Sequence, residues 1–169
     1  SEEGIIFEER KGIEPNNKIE ENFMLMLFTN LITSPTVLIK KTAIQDVGLF
    51  DESINWGGDD YDLWLRISQK YKFRYIDEVL SIRHEHTSNY SSDKTRMMNK
   101  TIELTQKYVD LHGLSSSVKK KIRSNHYYRF GIESLKKKDF YLGLSYILKS
   151  LFVSKQGIVE LGKTIRNRF

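Results

Sequence analysis

The sequence predicts a mixed α/β module followed by an all-helical one, and three observations carry that expectation. Short β-branched runs alternate with amphipathic stretches up to about residue 92, only helical periodicity follows, and the charge changes sign along the chain. Residues 1–112 carry 14 Lys/Arg and 19 Asp/Glu (net −5), whereas residues 113–169 carry 13 Lys/Arg against Glu133, Asp139 and Glu160 (net +10). We therefore expect two units, 1–92 and 93–169. At 169 residues, 39% hydrophobic and 29% charged, the chain is long enough for a packed core and too apolar for intrinsic disorder.

Gly4–Glu8 reads as a short strand, Arg10–Lys18 as a loop around Pro15-Asn16-Asn17, and Ile19–Thr29 as helical. Ser34-Pro35-Thr36-Val37-Leu38-Ile39 is a β-branched run that reads as a buried strand, its proline tolerable only at the beginning. Lys41–Val47 predicts a short helix stopped by Gly48. Leu63, Trp64, Ile67 and Tyr71 fall at helical spacing after Asp59, Asp60 and Asp62, whose carboxylates suit the positive end of a helix dipole. Lys72–Arg83 shows a broken period of two, predicting two short strands about a turn near Asp77-Glu78.

Beyond residue 92, Met97, Thr101, Leu104, Tyr108 and Leu111 mark one helix, stopped at His112-Gly113. Ser115–Ser117 offer N-caps for a second, running through Lys137. Asp139 offers one for a third, with Phe140, Leu144, Ile147, Leu148 and Leu151 on one face. The pair resembles one tetratricopeptide-like unit without a second copy. Ile158, Leu161, Ile165 and Phe169 predict a last amphipathic helix with Lys155, Lys163, Arg166 and Arg168 on its other faces.

The absence of cysteine excludes disulfides, thiolate metal sites and cysteine nucleophiles, and fits a reducing compartment. The longest apolar run, Phe23–Phe28, is six residues, far short of the roughly 20 of a spanning helix. No signal peptide is legible at the start, so a cytoplasmic protein is expected.

The chemistry-bearing stretch is Val47-Gly48-Leu49-Phe50-Asp51-Glu52, followed by Trp56-Gly57-Gly58-Asp59-Asp60-Tyr61-Asp62-Leu63-Trp64-Leu65-Arg66. A glycine pair before an acidic helix start allows close approach to the backbone and sets carboxylates at the edge of a cleft, where one can accept a proton. The same pattern also serves as a plain helix cap.

Asn30–Ser88 resembles the acceptor-side half of family 2 glycosyltransferases, inverting enzymes of the GT-A fold. The matching residues are Thr36–Lys41, Gly48 with Phe50-Asp51-Glu52, the acidic pair Asp59-Asp60, Asp62-Leu63-Trp64-Leu65-Arg66, and Arg83-His84. The family pair is usually Glu-Asp, and Leu49 stands where a second glycine is frequent. The resemblance implies a partial GT-A-like mixed sheet with helices. It implies that Asp60 is the general base deprotonating an acceptor sugar hydroxyl. Asp59, Trp56, Gly57 and Gly58 would position the acceptor, Trp56 by stacking on a sugar face. Arg83 and His84 would contact the donor diphosphate, His84 also as a ligand of a divalent metal, Mg or Mn; His86, two residues on, shares its face in an extended segment. Arg66 is expected to make a structural ion pair.

The nucleotide-binding half of such enzymes, ending in Asp-x-Asp, precedes everything matched here, and residues 1–29 do not supply it. The chain is thus expected to be the carboxy-terminal portion of a longer transferase that moves a sugar from a nucleotide donor to a glycan or lipid-linked acceptor, in bacterial surface polysaccharide synthesis, and to be inactive alone.

The basic end admits a solvated helical face or, through the stripe at 158–169, attachment to an anionic membrane at the cytoplasmic side. Nucleic acid is the competing partner, given Tyr127, Tyr128, Phe130 and Tyr141 among the cations, but no recognition motif accompanies them. A non-catalytic module docking to a partner protein is the remaining alternative.

Overall fold

A computed structural model describes residues 19–154 apart from 56, 77, 79, 80 and 82–92. Its helices are α1 (Ile19–Phe28), α2 (Lys41–Val47), α3 (Asp59–Ser68), α4 (Lys94–Leu111), α5 (Ser116–Lys136) and α6 (Phe140–Val153), with a 3-10 turn at Ser34–Thr36. The expected α/β class is overturned: 68% of the described residues are helical and none is in a strand, so the described part of the fold is all-helical. The expected strand at 4–8 and most of 77–83 lie outside the described residues.

The reason is one of pairing. A strand exists by its ladder, and β-branched composition supplies only the tendency. Pro35 seats the 3-10 turn, and Val37 and Lys40 follow with extended backbone. Val37 and Ile39 lean on the core while Leu38 is 99% exposed. Residues 71–76 repeat this alternation, Tyr71 and Phe73 against the core and Ile76 outward. Both segments thus have the period of a strand without becoming one.

The helices form where their caps are. Gly48 ends α2 at φ 84°. Asp93 caps α4 by accepting from Arg96 N at 3.0 Å, and Asp139 caps α6 by accepting from Leu142 N at 3.1 Å. Ser115 Oγ accepts from Val118 N at 3.4 Å at the start of α5.

One hydrophobic core draws on both sides of residues 92/93. Phe23, Met26 and Leu27 of α1, and Leu63, Trp64 and Leu65 of α3, pack with Leu104, Tyr108 and Val109 of α4 and Ile122 of α5. Side chains also close the open end of α1, whose last carbonyls have no helical partner. Tyr61 Oη donates to Met26 O at 2.5 Å, Asn125 Nδ2 to Phe28 O at 2.5 Å, and His126 Nε2 lies 2.8 Å from Leu27 O. Burial pushes the His126 pKa down to about 4, so the neutral ring donates to that carbonyl.

Helix α6 packs differently from the amphipathic pattern in its sequence. Its buried positions are Gly143, Tyr146 and Ser150, whereas Phe140, Leu144, Leu148 and Leu151 of the expected apolar face are exposed. A Cβ on Gly143 would sit 3.0 Å from Gly131 O and 2.6 Å from Leu135 Cγ. The single Ser124 hydroxyl proton lies within reach of Ser150 O at 3.0 Å and Ser154 O at 2.9 Å, and donates to one or the other. Small residues let α5 and α6 approach closely, and that seam fixes which side of α6 turns outward.

Candidate functional site

The site is built on the first turn of α3. Gly57 and Gly58 take φ of 93° and 95°, a conformation that side chains rarely adopt, and Gly58 occupies the N-cap position. The space above them belongs to α4: a Cβ on Gly58 would meet Leu104 Cδ1 at 2.7 Å, and one on Gly57 would meet Met97 Sδ at 3.2 Å. The close approach these glycines permit is therefore that of a helix.

With glycine at the cap and no side-chain cap bond, Asp59, Asp60 and Asp62 all fall within the first helical turn. Negative charge in this turn is favoured by the positive end of the helix dipole. Asp60 is half-buried; its Oδ1 accepts from Tyr61 N at 2.7 Å and its Oδ2 accepts a short hydrogen bond from Ser34 Oγ, brought in by the 3-10 turn. A carboxylate has about four acceptor positions, so room remains for a further donor. Asp59 is half-buried beside it.

Two residues on, Asp62 has a different environment. It is 1% exposed and accepts from Arg66 Nε at 2.8 Å, Tyr108 Oη at 2.8 Å and Lys107 Nζ at 3.4 Å. Burial, and then the bond to Asp62, raise the Tyr108 pKa well above the usual phenol value, so the hydroxyl stays protonated and donates. Arg66 also donates through Nη1 to Val47 O and Gly48 O, both at 2.8 Å, and through Nη2 to Leu49 O at 2.9 Å. One planar guanidinium thus fastens the loop after α2 to α3, a geometry that lysine cannot reproduce. Within that loop Asp51 accepts from Ser53 N at 3.0 Å and Ser53 Oγ at 2.6 Å, which holds its carboxyl below the usual carboxylate range.

The structure brings Asp59, Asp60, Gly57 and Gly58 together at one helix end. Trp56, Arg83, His84 and His86 lie outside the described residues. Among the described residues no group of three or more His, Asp or Glu is placed to hold a metal, and His84, the ligand implied by the resemblance, lies outside them. Arg66 makes the structural ion pair expected of it, and the structure supplies the partner, Asp62, at i, i+4. Ser34 and Tyr108 were not legible in the sequence, since each reaches α3 from a distant part of the chain. A recess of about 760 Å³, lined by Tyr127, Leu148, Leu151, Phe152 and their neighbours, lies on α6 and includes no residue of α3.

No family model, no curated protein and no solved structure matches this chain. Among the described residues no helix is long and apolar enough to cross a membrane.

Proposed function

We propose that this chain supplies the acceptor-side machinery of an inverting glycosyltransferase related to family 2, with Asp60 as its base. The observation that carries the reading is the contrast between two carboxylates on one helical turn. Asp62 is buried and consumed by Arg66, Lys107 and Tyr108, whereas Asp60 is partly open, oriented through both oxygens, and retains acceptor capacity. The first is a structural anchor, and the second is a carboxylate held ready at an accessible helix end.

In the proposed step Asp60 takes the proton of an acceptor sugar hydroxyl while that oxygen forms a bond to the anomeric carbon of the donor. The bond from that carbon to the diphosphate oxygen breaks on the opposite face, and the nucleoside diphosphate leaves with the electron pair. Ser34 and the Tyr61 amide hold the carboxylate in place as it changes charge. Arg66 and Asp62 set the position of α3 against the preceding loop, so that this geometry is formed before substrate arrives. The nucleotide donor would be held by residues other than these, and the chain alone is expected to transfer no sugar.

The test is Asp60→Asn in the complete enzyme. We expect kcat to fall by roughly 10²–10⁴-fold, the usual worth of a general base, with a circular dichroism spectrum unchanged. Undiminished turnover would overturn the assignment, as would sugar transfer from a nucleotide sugar by this chain alone.

A further inference from the structure

The outward side of α6 is a continuous apolar stripe. Phe140, Leu144, Leu148 and Leu151 recur every three to four residues, with Tyr141 and Phe152 alongside, and exposure ranges from 43% at Leu151 to 94% at Phe152. Twelve residue steps at 1.5 Å make it about 18 Å long. Among the described residues the only helix in substantial contact with α6 is α5, on the opposite side.

Both ends of the stripe are basic. Lys136 at the end of α5 and Lys138 in the turn that follows are both exposed just before Phe140. At the far end Lys120 and Arg123 line a recess with Val153, and Lys149 sits over the Tyr146 ring at 4.5 Å. Helix α6 itself contains no carboxylate, and the nearby acids are engaged: Asp139 caps α6, and Glu133 pairs with Lys94 at 2.5 Å.

We infer that the exposed face of α6 is a docking surface for an anionic lipid bilayer, lying in the plane of the headgroups with its aromatic and leucine side chains inserted. Charge complementarity selects this occupant. A second copy laid across the stripe, in either direction, would set cations against cations. The following residues 155–169 are themselves basic, with Lys155, Lys163, Arg166 and Arg168 against Glu160. A bilayer accepts protruding side chains such as Tyr141 and Phe152 without a matching pocket, while anionic headgroups pair with the flanking lysines. The inference stands independently of glycosyl transfer, and it places the contact on α6 in addition to any made by residues 158–169.

The experiment is flotation of the full chain with vesicles of phosphatidylcholine alone and of phosphatidylcholine mixed with phosphatidylglycerol. Binding is expected with the anionic vesicles only, and is lost at high salt. Tyr141→Ser with Phe152→Ser weakens it by roughly tenfold or more, because two inserted aromatic side chains are removed. Lys136→Glu weakens it by at least about fivefold, the effect of one lost cation near the surface. All three positions are exposed, and unchanged circular dichroism spectra confirm that the variants fold. Absence of flotation, equal flotation with neutral vesicles, or full binding by the Tyr141→Ser/Phe152→Ser variant would each overturn the inference. So would a lipid-free dimer that Phe152→Ser returns to monomer.

Discussion

Helices α3 and α6 reverse each other's use of apolar side chains. Seven of the ten residues of α3 are buried, including Leu63, Trp64, Leu65 and Ile67, and its polar residues are drawn into bonds with α4 and the loop after α2. In α6, ten of fourteen residues are apolar, yet the buried positions are a glycine, a tyrosine and a serine, and five of its leucines and phenylalanines are exposed. The difference lies in the neighbours. Several elements surround α3, and the cheapest arrangement buries all that is apolar. With α5 as its one extensive partner, α6 can approach closely only along Gly131, Gly143, Ser124 and Ser150, and that gain in packing leaves the large side chains outside.

Four changes would break or sharpen this contrast. Among the polar contacts the largest effect belongs to Arg66→Ala, which removes the anchor of the loop after α2 and leaves Asp62 buried with weaker partners. We expect urea unfolding to show a loss of about 3 kcal/mol with an unchanged m-value.

Next comes acid. The folded-state pKa of His126, about 4, lies below the 6.5 of a free histidine, so the unfolded chain binds more protons between those values. Stability present above pH 6.5 is therefore lost as pH falls through this window, by on the order of 3 kcal/mol. His126→Gln should be less stable at neutral pH and show a flatter profile, measured by denaturant melts across the range.

Gly143→Ala tests the α5–α6 seam. The added Cβ collides with Gly131 O and Leu135, and a loss of roughly 1–3 kcal/mol is expected in thermal and urea unfolding. A neutral result would mean that the hairpin has slack.

The smallest effect is the sharpest discriminator. Leu148→Ala on the outer side of α6 should change stability by no more than about 0.5 kcal/mol, whereas the same change at Leu63 should cost roughly 2–5 kcal/mol. Equal losses would show that the α6 face is covered in the folded protein.

How much was legible in the sequence varies with the range of the interaction responsible. Helices α2, α4, α5 and α6 were read near their observed bounds because glycine, serine and aspartate act on the adjoining turn. The acidic turn of α3 was legible for the same reason, and an ion pair of Arg66 was expected, though its partner Asp62 came from the structure. The strand expected at 34–39 failed because pattern records the alternation of side chains and says nothing of whether a neighbouring strand exists to pair with. The glycine pair was read as space for a ligand, and the space is filled by Leu104 and Met97, which sequence distance conceals.

By itself, then, the sequence determined most of the helices and the caps at Gly48, Ser115 and Asp139, the acidic turn at 59–62, the basic character of the last third and the absence of cysteine chemistry, since each follows from composition or from residues a few positions apart. Only the tertiary structure decided that Ser34 meets Asp60, that Tyr108 and Lys107 seal Asp62, that His126 and Asn125 close the end of α1, and that α6 turns its apolar side outward. Those outcomes depend on which helices approach most closely, and close approach is set by the small residues and buried hydrogen bonds of two elements at once, a property that neither segment carries alone.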